Sequence, residues 1–174
     1  MLRTATRRAH DVLDASFAGD RLEDREAYGD FLTMQLRARL PLERWAAHHC
    51  PPTLRPPETT PEILQDLLAL GRPISLRHSE LVMPANADPR GLAWAVAGSH
   101  LGNRAMLHGL RKADVQFPAS FLADPRMAIF WKDLQPTLES RVSDTEAQRC
   151  LDTALAVFRC FEAALPPAPE KIAA

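Results

Sequence analysis

The residues best placed to do chemistry are a histidine behind two arginines and, far along the chain, a run of glycines. Arg3 and Arg7 precede His10 by seven and three positions, so all three share one side of a first helix. A neutral imidazole is a natural axial ligand for haem iron, and guanidinium groups pair with carboxylates at the edge of such a ligand. The same spacing also describes a surface histidine on an arginine-rich helix, which is the commoner arrangement.

The second feature runs from Gly91 to Gly109 and reads GLAWAVAGSHLGNRAMLHG. On a helix, Gly91, Ala95, Gly98, Gly102, Ala105 and Gly109 fall on one face, all of them Gly or Ala. Each interior glycine costs a helix about 1 kcal/mol relative to alanine, so the run needs a reason. A face without side chains admits a flat ligand, or the backbone of another helix, at close range. The pattern alone leaves both open.

Other reactive residues form weaker patterns. His48 and His49 stand just before Cys50-Pro51, a dipeptide found at some regulatory haem sites but more simply explained as loop composition. His100 falls on the side of the glycine-rich helix opposite Gly98 and Gly102, and His108 falls to one side of the stripe. Packing or surface roles are expected for both. The chain has no Ser/His/Asp constellation, no phosphate-binding loop and no GxGxxG. Glu26, Glu43 and Glu80 lack the ExxH pairing of a carboxylate-bridged di-iron bundle. Cys50, Cys150 and Cys160 are too few and too scattered for a disulfide framework or a zinc site, and the last two are expected to pack as small apolar residues on one helix.

These residues must be positioned by helices. Leu2, Ala5, Ala9, Val12, Leu13 and Phe17 predict a helix over 2–17, interrupted by Gly19-Asp20. A longer one covers 23–47, with a kink or break expected at Pro41. Residues 51–61 read as a proline-rich surface connection, after which Thr60 is expected to cap a helix over 61–70 that ends at Gly71. Residues 72–86 are ambiguous, with a short helix conceivable over Ser75 to Met83. Asp88-Pro89 opens the glycine-rich helix, 89–111, and short helical pieces follow around 119–123 and 126–141. Ser143 begins a last helix, 144–165, with Glu146 completing a capping box, and Pro166 ends it. The expected architecture is all-α: one domain over 1–165, about seven helices, and a disordered tail over 166–174.

Composition narrows the class. The chain has 174 residues, enough for one domain with a full core. Its net charge of -1 gives no argument for nucleic acid or an anionic membrane. The N-terminus is charged throughout, unlike a secretory signal, and no run reaches the ~18 apolar residues of a membrane span. A cytoplasmic protein is expected.

Taken in order, the segments resemble the haem oxygenase family over most of the chain. LRTATRRAHDVLD is similar to the family's proximal helix, L-[KR]-x-x-T-x-x-x-H, in which His10 matches the histidine that ligates haem iron. Arg3 and Arg7 match basic positions near the haem propionates. REAYGDFLTMQLRARLPLE resembles the second helix, AGSHLGNRAML the distal helix and ALAVFRCFEAAL the last helix. The likeness is closest to the bacterial branch, which often reads G-S-x-L-G-G in the distal helix. Ser99 stands where many members carry aspartate, as is common in that branch. Asn103 replaces the second glycine of the family's pair, a departure that bears on turnover rate and regiospecificity more than on haem binding.

The resemblance implies a multi-helical bundle with haem held between the first helix and the glycine-rich distal helix. It implies a haem-degrading oxidoreductase that opens haem to biliverdin, releasing CO and ferrous iron. O2 and an external electron donor (a ferredoxin, a reductase or an ascorbate-type reductant) would be consumed, and a bilin-accepting photoreceptor is a conceivable recipient. His10 would be the proximal metal ligand. Gly98, Ser99, Gly102 and Asn103 would form the distal wall, Arg3 and Arg7 would meet the propionates, and Phe158 would give an apolar haem contact. The alternative is a non-enzymatic haem sensor or carrier on the same fold.

Overall fold

The longest helix among the described residues has 25 residues, twelve of them buried. In the computed structural model, which describes residues 2–16 and 23–166, it spans Arg25–His49 (α3). Two helices precede it, Leu2–Ala5 (α1) and Arg7–Ser16 (α2). It is followed by a 3-10 turn, Pro52–Leu54, and then by Thr60–Ala69 (α4), Pro89–Gly98 (α5) and His100–Lys112 (α6). Ser120–Ala123 (α7), Arg126–Glu139 (α8) and Asp144–Ala164 (α9) complete the chain. Among the described residues there is no strand, and the helices form one compact domain around a single core. Phe17, the Gly19-Asp20 interruption and 167–174, which is all but the first residue of the expected tail, lie outside the described residues.

The core is built on α3, whose Tyr28, Phe31, Leu32, Leu36, Ala38 and Leu42 are buried. α3 packs on α4 and α9, and α5 packs chiefly on α9 and α8. α1 and α2 pack on α9. Thus α9 carries α2, with His10, and α5, with Gly91 and Gly98, while α6, with Gly102 and Asn103, packs on α7 and α8. The capping box forms as expected: the Ser143 hydroxyl accepts from the Glu146 N–H, and the Glu146 carboxylate accepts from the Ser143 N–H.

Four local expectations are corrected. The first helix divides at Thr6, although its hydrogen bonding continues: the N–H and hydroxyl of Thr6 both donate to the Leu2 carbonyl at 3.0 Å, and His10 N–H donates to the Thr6 carbonyl. α3 does not break at Pro41. Proline removes the donor for the Arg37 carbonyl, and the backbone N–H of Ser79, from a distant segment, supplies one at 2.9 Å. Ser75 to Met83 has no helix; this stretch crosses the surface and is tied to α3 through that bond. Thr60 does not cap α4. The cap position is Thr59, and the Glu43 carboxylate of α3 accepts from the N–H groups of Thr59 and Thr60 and from both hydroxyls. A carboxylate at a helix start satisfies orphan donors and opposes the positive end of the helix dipole.

Candidate functional site: two faces of a broken helix

The glycine-rich segment is two helices, not one. α5 ends at Gly98, α6 begins at His100, and Ser99 is the junction. The break divides the small-residue stripe into parts with different environments. A methyl group added at Gly91 would lie 2.2 Å from the Cys150 carbonyl of α9, so here the missing side chain permits contact between two helix backbones. At Gly98 the nearest neighbour would be Trp131, at 4.0 Å, and at Gly102 and Gly109 there is nothing within 4 Å. The beginning of the stripe therefore serves helix packing, and its later part faces open space.

His10 and the open glycines are linked through α9. The His10 ring centroid lies 6.3 Å from that of Phe158, which is buried, and Phe158 lies 6.5 Å from Trp94 on α5. Trp94 precedes Gly98 by one helical turn, so a path of rings runs from α2 across α9 toward the open face. Phe158 was expected as an apolar ligand contact; Trp94 was not singled out, because its position off the small-residue stripe gave no signal. His10, Arg3 and Arg7 are all exposed. The Arg7 guanidinium lies 4.0 Å from the Asp11 carboxylate, a pair too exposed to hold it in place.

Ser99 and Asn103 lie one turn apart, and the Asn103 N–H donates to the Ser99 carbonyl at 3.1 Å. Gly98 and Gly102 share one face, Ser99 and Asn103 follow them by about 100° around the axis, and His100 lies about 100° beyond Ser99. The His100 Nδ1–H donates to the Ala97 carbonyl at 2.8 Å, and its buried ring lies 5.7 Å from Trp131. Asn103 is buried in a cavity of about 340 Å³ between α6, α7 and the start of α8.

What holds the junction is Arg39. Among the described residues it is the largest fully buried side chain, at 1 % exposure in the middle of α3. Its Nε donates to Gln35 Oε1 at 2.9 Å and its Nη2 to Ser99 Oγ at 3.3 Å. Ser99 Oγ in turn donates to the Val96 carbonyl at 2.7 Å. The guanidinium lies 5.0 Å from the Phe121 ring centre and 6.0 Å from that of Phe161. Burial pulls its pKa down to about 10, against the opposing charges of Glu43 and Asp124, so it remains a cation at neutral pH. The sequence offered no sign of it: an arginine on a long amphipathic helix is ordinarily solvated.

The remaining histidines form no metal site; among the described residues no group of three or more His, Cys, Asp or Glu could hold an ion. His48 and His49 are exposed at the end of α3, each donating from Nδ1 to a carbonyl one turn back, and His49 stacks on Trp45. Cys50, Cys150 and Cys160 are buried free thiols whose pKa values burial pushes up to about 11. No helix is long and apolar enough to cross a membrane among the described residues. Compared with protein families, curated proteins and solved structures, the chain matches none of them.

Proposed function

We propose that the chain binds haem between α2 and the broken α5–α6 helix and opens it oxidatively to biliverdin, with release of CO and ferrous iron. One observation carries this reading: the exposed His10 and Gly98, where the open glycine face begins, lie on α2 and α5, which both pack against α9, joined by Phe158 and Trp94. The residues fit the group. An imidazole at the surface of α2 is accessible to iron, and Gly98 and Gly102 leave backbone alone facing the opposite side. Bound haem would supply both the redox chemistry and the carbon skeleton that is cut.

In this reading His10 holds the iron and Phe158 and Trp94 shield one edge from water. Arg3 and Arg7 close over carboxylates at the rim, where charge-assisted bonds gain most when both partners are fixed. Ser99, held by Arg39, sets the angle at which α6 leaves α5 and therefore how near Gly102 comes. His100 is turned away with its Nδ1 proton committed to Ala97, so it places no acid on the open face.

Titration with hemin tests the reading. The expected outcome is a saturable complex with a sharp Soret band, abolished or strongly weakened in His10→Ala; an unchanged spectrum in that variant would sink the ligand assignment. Addition of O2 and ascorbate should then bleach the Soret band as a biliverdin-like red absorption grows, with the product identified by chromatography. A stable ferrous or oxy spectrum would instead identify a haem carrier or sensor.

A further inference from the structure

The cavity on the face of α6 opposite the glycines has the chemistry of a second ligand site. It is lined by Arg39, Arg104 and Arg111, by Asn103, and by the apolar side chains of Leu107 and Phe121. One acidic residue, Asp124, reaches it, but the Asp124 carboxylate already accepts from the backbone N–H, Nε and Nη2 of Arg126. Glu43, the other carboxylate whose charge acts on Arg39, is committed to Thr59 and Thr60. The cavity thus carries an excess of positive charge over apolar walls.

A second observation points to a ligand. Arg39 Nη1 is buried and hydrogen-bonds to nothing, although Nε and Nη2 of the same guanidinium are both satisfied. Buried donors are nearly always paired, and a charged one left unpaired is costly. Water can serve such a donor but does not balance its charge. A carboxylate oxygen does both, and the guanidinium fork matches carboxylate geometry.

We infer that this cavity binds a small organic carboxylate: the anionic group meets Arg39 and Asn103, Arg104 and Arg111 close over it from the rim, and the apolar body rests on Leu107 and Phe121. The volume of about 340 Å³ lies in the range of small-molecule pockets and suits a single ring or short chain. The site goes beyond the proposed haem chemistry and does not depend on it, because it lies on the other side of α6 and uses none of His10, Gly98 or Gly102.

Calorimetric titration of the haem-free full chain with benzoate tests this, with benzamide and inorganic phosphate in parallel. Saturable benzoate binding is expected, with benzamide and phosphate each at least about tenfold weaker, the worth of one charge-assisted bond or of the buried ring. Arg104 and Arg111 are exposed, so Arg104→Ala/Arg111→Ala keeps the fold and should weaken benzoate about tenfold or more. Asn103→Leu removes a hydrogen-bonding group from the cavity wall and should weaken benzoate about tenfold. Absence of saturable binding, or benzoate binding unchanged in both variants, overturns the site. Equal binding of benzamide overturns its preference for an anion, and tighter binding of phosphate overturns the apolar body. A failed hemin titration with positive benzoate binding would leave this site standing, and the reverse result would remove it alone.

Discussion

Gly91 and Gly102 belong to one stripe, yet a methyl group has opposite consequences at the two positions. At Gly91 it meets backbone, the Cys150 carbonyl at 2.2 Å, which cannot rotate aside. Gly91→Ala should therefore destabilise the protein by about 1–3 kcal/mol, the range of core overpacking. At Gly102 it meets nothing, so Gly102→Ala should be neutral or stabilising by up to about 1 kcal/mol through helix propensity. Thermal denaturation of the two variants checks both signs. The spacing of small residues was legible in the sequence, but their division was not, because whether a glycine faces a helix or space depends on what lies opposite. Arg39 was hidden for a related reason. Its burial is set by Phe121, Phe161 and Ser99, all remote along the chain.

Helices were legible where their signals are local. The Ser143–Glu146 capping box lies within one turn, and it formed as read. The cap of α4 comes from Glu43, and the start of α7 is held by Asp66, whose carboxylate accepts from the N–H groups of Ser120 and Phe121. Neither partner is near in sequence, so neither was found. The start of α5 combines both kinds. Asp88 caps the Arg90 N–H, forms an ion pair with the Arg90 guanidinium, and donates its own N–H to Thr153 of α9 at 2.8 Å. Burial favours the neutral form of the Asp88 carboxyl, but the Arg90 hydrogen bonds and charge outweigh it and hold the pKa below its ordinary 3.8. A carboxyl depressed in the folded state contributes stability that is complete above its unfolded pKa and is lost as pH falls through the folded one. The melting temperature should thus fall as pH drops below about 4, and the fall should be shallower in Asp88→Asn. An equally steep fall in that variant would assign the acid sensitivity to other carboxylates.

For the molecule as a whole, helical periodicity in the sequence conveyed an all-α domain and the order of its longer elements, since burial of one apolar face leaves that mark directly. The surface stretch over 72–87 left no such mark: it exposes Leu76 and Val82, and Leu81 and Met83 rest partly buried against the core. It should be a preferred point of proteolytic entry. Within it, Arg77 and His78 are exposed, so brief trypsin treatment should cut after Arg77 while the two products elute together in gel filtration. Immediate separation of the products would contradict this, because α4 packs on α7 and α3 on α9 across the cut.

The bond from Ser79 to the carbonyl that Pro41 leaves without a donor has a consequence for how the chain can be assembled. Beyond this staple, the core is shared between a leading half ending at α4 and a trailing half beginning at α5. The protein is therefore suited to reconstitution from two separately synthesised polypeptides, each contributing one part of the core and one wall of the haem cleft proposed above. Split between Arg77 and His78, the two halves should recover their helical structure when mixed, because α3 and α4 of one pack on α9 and α7 of the other.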